Sequence, residues 1–166
     1  RETFFVESAP QPAGTQAQGG AEDQPLIYVA GVPVGITICF EEAFSRDLIR
    51  DLPQAKILVN VSNDAWFEDS HEPHQHHAIA RMRALEAGRY MIRSTNTGIT
   101  SFIGPHGEVI KQIPQFEAGV LTGEVQPFAG ATPFVRWGDW LIVACCSLLL
   151  LAFAYKESQR SRSSAA

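Results

Sequence analysis

The sequence predicts a layered α/β domain followed by one C-terminal transmembrane helix, and three observations carry that expectation. Strand-like runs alternate with helical patterns early and follow one another late, the order of a sheet flanked by helices. Over 166 residues, 45% are apolar and 19% charged, which fits one folded core and not a disordered, collagenous or disulfide-scaffold chain. Near the C-terminus, Trp140 to Tyr155 (WLIVACCSLLLLAFAY) runs for 16 residues without a charge. The net charge is −5, and Arg1–Arg136 holds 10 basic against 16 acidic residues. Phosphate binding needs clustered positive charge, so no nucleic-acid partner is expected.

From the start of the chain, residues 1–25 read as a loop or linker. Ser8 to Pro25 (SAPQPAGTQAQGGAEDQP) has no apolar periodicity and little to bury against the entropy of ordering it. No basic and then apolar signal segment opens the chain, so either the start of a longer protein or an export signal is expected upstream of Arg1. Leu26 to Ala30 and Val34 to Phe40 flank a Gly31-Val32-Pro33 turn and predict a hairpin whose second arm ends at Cys39. Glu41 and Glu42 suit the positive end of a helix over Ala43 to Leu52, with Phe44, Leu48, Ile49 and Leu52 at helical spacing and Pro53 as the stop. Lys56 to Ser62 (KILVNVS) has the pattern of a strand covered on both faces, and Asn63 to Pro73 follows as a polar, aromatic loop.

His76 to Gly88 predicts a helix. Ala78, Ala80, Ala84 and Ala87 favour it, and Ile79, Met82, Leu85 and Glu86 recur at spacings of three and four. Tyr90 to Thr95, Ile99 to Ile103, Val109 to Ile113 and Val120 to Val125 read as strands, with Pro105-His106-Gly107-Glu108 as a turn. The folded domain is thus expected over 26–136. At about 1.5 Å per residue the uncharged C-terminal stretch covers about 24 Å, short of the roughly 30 Å hydrocarbon core unless Trp137 and Gly138 join it. Trp137 and Trp140 at one end, Tyr155 at the other, and Lys156, Arg160 and Arg162 beyond favour a transmembrane helix over 137–156. A cytoplasmic tail at 157–166 follows from that reading, with Arg1–Arg136 outside. The competing expectation is a core helix, whose far face would carry polar residues that this run lacks.

Cys39, Cys145 and Cys146 are an odd set with two adjacent in the apolar run, so no disulfide framework is expected. Cys145 and Cys146 read as small hydrophobes. Cys39 falls where a strand ends and an acidic helix start follows, a junction that aims backbone N–H groups at an exposed side chain. A free thiol, with a pKa of about 8.5, is only slightly ionised at neutral pH. Glu41 and Glu42 oppose a thiolate unless one acts as a base or binds a neighbouring group. By composition alone, an unpaired cysteine is more simply a buried small hydrophobe. The stretch HEPHQHH supplies His71, His74, His76 and His77, with Asp64, Asp69 and Glu72 nearby. Its irregular spacing lacks both an H-E-x-x-H helix and a C-x-x-C partner, so no metal or cofactor is expected. Asn63, Asp64, Trp66 and Phe67 follow a buried strand, where α/β folds gather ligand sites, and they suit a structural turn equally well.

Together, ITICFEEAF, ILVNVSNDAWF and HQHHAIARMRALEAGRYMIRSTNTGITSFIGPHGEVIKQIPQFEAGVLTGEV resemble the carbon-nitrogen hydrolase (nitrilase) superfamily. From Leu26 to Tyr155 the chain is similar to the C-terminal part of the bacterial apolipoprotein N-acyltransferase family. The resemblance implies a partial nitrilase-like α-β-β-α sandwich. It makes Cys39 the nucleophile, Glu41 a site-supporting carboxylate and the Phe40 N–H an oxyanion donor, and it places Asn63 and Trp66 along the acyl or head-group pocket. Family members often carry Tyr where this chain has Phe40 and Gly where it has Glu68. The first difference removes a hydroxyl, and the second puts a charge on a loop expected to meet lipid. The implied reaction moves a fatty acyl chain from a phospholipid donor to Cys39 as a thioester, then to the α-amine of a diacylglyceryl apolipoprotein acceptor. It implies the bacterial inner (cytoplasmic) membrane, with the catalytic domain on the periplasmic side.

The family's Glu base and Lys lie well before the cysteine, yet only 38 residues precede Cys39 and none is lysine. The chain is therefore expected to be a C-terminal fragment, inactive by itself. Two further readings stay open. One is a membrane-anchored amidase of the same chemistry, which would release ammonia from small amides. The other is a non-enzymatic, membrane-anchored interaction domain with a structural Cys39 that alkylates slowly.

Overall fold

A computed structural model of the protein describes residues 2–8 and 25–164. The chain forms two compact units, Arg1–Val135 and Arg136–Ala166. In the first, β2 (Ile27–Val29), β3 (Val32–Ile38), β4 (Ile57–Ser62), β5 (Met91–Thr95), β6 (Thr100–Ile103) and β7 (Val109–Ile113) form one six-stranded sheet in that order. The sheet is mixed: β3, β4 and β5 run parallel, and the outer pairs are antiparallel. Parallel neighbours need crossovers, which α1 (Ser45–Arg50) and α2 (Glu72–Ala87) supply. β1 (Glu2–Ser8) pairs antiparallel with β8 (Gly119–Val125) in a separate two-stranded sheet.

The pleat sends alternate residues to opposite faces of the large sheet. On one face Leu58, Met91 and Ile103 pack with Leu48 and Leu52 and with Ala80, Ala84 and Ala87 of α2. On the other, Ile57, Ile92 and Phe102 pack with Val125 of β8, and Leu121 lies against them. Helices, large sheet and small sheet thus stack in the order expected of a partial nitrilase-like α/β fold.

Several local expectations are corrected. Glu2–Ser8, expected as loop, is a strand paired with β8 at the other end of the domain; Thr3, Phe4, Phe5 and Val6 are the β-favouring run that signals it. The rest of that linker, 9–24, lies outside the described residues. The hairpin turns at Ala30 and Gly31, both at positive φ, so β3 starts at Val32 and Pro33 lies opposite Tyr28. The helix expected over 43–52 is split into a 3-10 turn at Cys39–Ala43 and the shorter α1. β4 is not covered on both faces along its length, since Val61 near its end is 41% exposed. α2 starts earlier than expected, with Pro73 in its first turn, and ends at Gly88 in the left-handed region. Its buried face is His76, His77, Ala80, Ala84 and Ala87, whereas Met82 and Leu85 are exposed. Small side chains let the helix sit close to the sheet, so the spacing of the larger apolar residues pointed to the wrong face.

The C-terminal expectation is corrected as well. α3 (Pro133–Trp137) ends at Trp137, Gly138 takes φ +55, and α4 (Trp140–Ser164) starts after the break. Trp137 and Gly138, which a helix over 137–156 needed to reach bilayer thickness, therefore do not extend it. Among the described residues no helix is long and apolar enough to cross a membrane. The cytoplasmic placement of 157–166 loses the span on which it rested, and residues through Ser164 continue α4. Every described side chain of α4 is exposed, among them Leu148, Leu149, Leu150, Leu151 and Phe153.

Candidate active site

β3 carries apolar residues to the carboxyl edge of the sheet, and Cys39 ends it at φ +53 as the first residue of the 3-10 turn. A side chain in the left-handed region costs on the order of 1 kcal/mol or more, so the surroundings must hold it there. The Glu41 carboxylate accepts the Ile38 N–H at 2.8 Å and ties the turn to the strand end. The Cys39 carbonyl accepts from Asn60 Nδ2 at 3.1 Å and from His76 Nε2 at 3.3 Å. A carbonyl can only accept, so this bonding assigns a proton to Nε2.

Strand register sets Thr37, Asn60, Arg93 and Ser101 in one row across β3 to β6. All four are buried polar residues. Two positions back on the same face, the row is Gly35, Leu58, Met91 and Ile103. The layer beneath α2 thus changes from apolar to polar as it nears Cys39.

Arg93 is the centre of a buried charge cluster. Its Nη1 donates to Glu42 Oε1 and, at 3.2 Å, to Asn60 Oδ1, and its Nη2 donates to Asp64 Oδ2 at 3.1 Å. His76 Nε2 lies 3.0 Å from Glu42 Oε1, and its Nδ1 lies 3.3 Å from Asp64 Oδ1 and 2.9 Å from Arg93 Nη2. Ser62 Oγ donates to Asp64 Oδ1 at 2.6 Å. Among the directly hydrogen-bonded groups two carboxylates, one guanidinium and one imidazolium balance, which is the condition for keeping such charges out of water. A third carboxylate, Glu72, stands at the edge of the cluster with Oε1 3.9 Å from His76 Nδ1, and burial raises its pKa. Burial by itself pushes the His76 ring toward neutrality. Hydrogen bonds to Asp64 and Glu42 outweigh that and the repulsion of Arg93, and they raise its pKa to about 9. Burial also opposes the charge on Asp64, but the His76 hydrogen bond and the Arg93 charge hold its carboxyl below the ordinary range. The adjacent His77 bonds Ser101 Oγ at 2.9 Å instead. Burial, reinforced by Arg93 and Arg81, lowers its pKa to about 4. Neighbouring histidines therefore hold different charge states at neutral pH.

The other expected site residues lie around this elbow. The Phe40 ring is half exposed, edge-on to Phe44 with centroids 6.1 Å apart and tilted against His76 at 5.6 Å. Asn63 Oδ1 accepts the Ala65 N–H at 3.1 Å and an amide proton of Asn96, whose own Oδ1 accepts the Asp64 N–H at 3.0 Å. Asn63 is thereby joined to the cluster through backbone and amide bonds. Trp66 stands 69% exposed on the 3-10 turn Ala65–Phe67. Cys39, Phe40 and Glu41 stand together in one turn, while Trp66 stands on another, Ala65–Phe67. His71 and His74 are exposed, and Asp64 and His76 bond each other and Arg93. Cys145 and Cys146 are exposed on α4. Arg93, and Glu42 as its partner, were missed from the sequence. The available signal was an arginine inside the strand MIRST, where a buried charge demands an opposite one.

The family model for carbon-nitrogen hydrolases matches residues 1–134. The apolipoprotein N-acyltransferase of Nitrosomonas europaea is 50% identical over 141 residues, 85% of this chain and 28% of that protein. That of Methylococcus capsulatus is 48% identical over 143 residues, 86% of this chain and 28% of that protein. The chain thus spans little more than a quarter of the length of these curated relatives. Among solved structures, an amidase from Nesterenkonia sp. aligns with a TM-score of 0.53 at 16% identity, covering 70% of this chain and 44% of that one. The C. elegans NitFhit protein aligns at 0.53 and 18% identity, covering 64% and 28%. Identities this low speak to the fold alone. With a family match that covers the folded unit and a fold to agree with it, the chain belongs to the carbon-nitrogen hydrolase family.

Proposed function

We propose that the chain carries the nucleophile of an apolipoprotein N-acyltransferase. The observation that carries this reading is Cys39, a thiol on a left-handed elbow at the carboxyl edge of parallel strands. It is supported by the 48–50% identity to acyltransferases of that name.

In the first step the Cys39 thiolate attacks the ester carbonyl of a membrane phospholipid. The carbon–oxygen bond breaks, lysophospholipid leaves as the alcohol by taking the proton that the Cys39 thiol gave up, and the acyl chain stays on Sγ as a thioester. In the second step the α-amine of a diacylglyceryl-cysteine apolipoprotein attacks that carbonyl. The carbon–sulfur bond breaks, the amide forms, and the proton lost by the amine restores the thiol. The Phe40 N–H is the oxyanion donor, set by the same turn that holds Cys39. Glu41 supports the site through the Ile38 N–H. Asn63 orders the loop that carries Trp66, and the Phe40 and Trp66 rings receive the lipid.

The exposed apolar surface of α4 keeps the domain at the bacterial inner membrane, on its periplasmic side, where both substrates are held. In the first unit, Lys56 sits at the amino end of β4, away from Cys39, and Lys111 Nζ is bound to the Thr122 carbonyl. Neither stands at the Cys39 turn, where the family places a cation at the oxyanion.

The test is incubation of the protein carrying this chain, at its natural length, with phospholipid of defined acyl composition. The expected result is a mass gain of one acyl chain on Cys39, released by hydroxylamine and absent in Cys39→Ala. Ammonia release from small amides without an acyl adduct would establish the amidase reading instead.

A further inference from the structure

We propose that Glu42, Asp64, His76 and Arg93 form a positioning cluster that holds the Cys39 elbow in its left-handed conformation, and so aims the thiol and the Phe40 N–H. The inference rests on the acyl-transfer reading for its chemistry, but not for its geometry. The cluster acts through the Cys39 carbonyl and not on the reacting atoms.

Both donors to that carbonyl are held by the cluster. His76 Nε2–H is shared between the Cys39 oxygen at 3.3 Å and Glu42 Oε1 at 3.0 Å. Asn60 donates to the Cys39 oxygen at 3.1 Å, while its own Oδ1 accepts from Arg93 at 3.2 Å. The four charged groups come from four different segments: the 3-10 turn, the loop after β4, α2 and β5. Their bonds therefore lock those segments at one point, directly behind the residue whose backbone is strained.

The position of the charges separates this role from ordinary stabilisation. Leu58, Met91, Ile103 and the alanines of α2 fill the rest of the same helix–sheet interface. Replacing buried charges by well-packed apolar residues is commonly neutral or stabilising, so stability does not account for four mutually bonded charges gathered beneath one elbow. The buried Arg89, at the far end of α2, differs in bonding main-chain carbonyls, among them those of Ala55 and Gly130. What charge-assisted bonds add over apolar contacts is direction. Glu42 Oε2 and Arg93 Nε are buried without a hydrogen-bond partner among the described residues, a cost that is borne at this spot.

The test uses the natural-length protein as wild type, His76→Ala, His76→Gln and Met91→Ala. Glutamine can donate an amide proton toward the Cys39 carbonyl without the ring, and Met91 in the apolar row serves as a match for lost stability. In His76→Ala, kcat for thioester formation is expected to fall about 100-fold with KM for phospholipid nearly unchanged. Hydrogen exchange over 38–44 should rise at the same time. His76→Gln should recover about ten-fold of the lost kcat, and Met91→Ala, at a similar drop in Tm, should keep kcat within about three-fold of wild type. Equal kcat losses in His76→Ala and Met91→Ala, or unchanged exchange over 38–44 in His76→Ala, would overturn the proposal. If His76→Ala does not fold, Arg93→Lys takes its place, because lysine keeps the charge but cannot fork to Glu42, Asp64 and Asn60. Should the wild type form no thioester, acyl transfer fails as a reading, and the exchange measurement alone still decides the cluster.

Discussion

Glu68 shows what one residue costs when its side chain does not suit its backbone. At φ +46 and ψ −145 it occupies a region that glycine tolerates and other residues pay to enter. Glu68→Gly is expected to stabilise the fold by about 1 kcal/mol, read as a rise in Tm of a few degrees. The two buried histidines set a pH dependence of opposite sign. His76 is raised from 6.5 to about 9, so its contribution is complete below pH 6.5 and is lost as pH rises through about 9. His77 is lowered from 6.5 to about 4, so its contribution is complete above pH 6.5 and is lost as pH falls through about 4. Denaturant melts from pH 4 to 9 should therefore show greatest stability near pH 6.5. His76→Gln should flatten the alkaline limb, whose size is on the order of 3 kcal/mol, with a smaller change in the acid limb because Asp64 and His77 both lose its charge. An alkaline limb untouched by that substitution would contradict the charge assigned to His76.

At the scale of elements, the β5–β6 hairpin is built around the charge cluster. Gly98 lies in its turn, where a Cβ would overlap the Asp64 carboxylate. Gly98→Ala must push Asp64 from Arg93, now 3.1 Å away, and leave a buried guanidinium short of a partner. The expected loss is about 3 kcal/mol, and a melt within a degree of wild type would refute it. Element types were legible from local patterns: β4, β5, β6 and β7 stand within a residue of where their β-branched runs place them. The buried face of α2 was not legible. Alanine and histidine carry little hydrophobic signal, yet they are what a close helix–sheet contact over a polar row requires.

For the whole molecule, the exposed apolar length of α4 is the main feature that water alone does not explain. Leu149→Lys combined with Leu151→Lys should reduce co-sedimentation with anionic phospholipid vesicles by about ten-fold or more, while the Tm of the domain stays the same. Vesicle binding equal to wild type would assign the attachment to another part of the protein. Gly138, at φ +55, separates this helix from α3, so the uncharged run of α4 starts at Trp140 and excludes Trp137 and Gly138.

By itself the sequence determined the order of the strands from β2 to β8, the place of Cys39 at the end of a strand, and the family. Each of these is written in short runs of residues whose spacing or identity is local. Only the tertiary structure decided the pairing of β1 with β8, the face α2 buries, the start of α4 and the cluster behind Cys39. Glu42 and Arg93 are 51 residues apart, and register across the sheet, together with the closing of α2 over it, sets which charges meet. Pairing of that kind is a property of packed surfaces, and no window of sequence contains both partners.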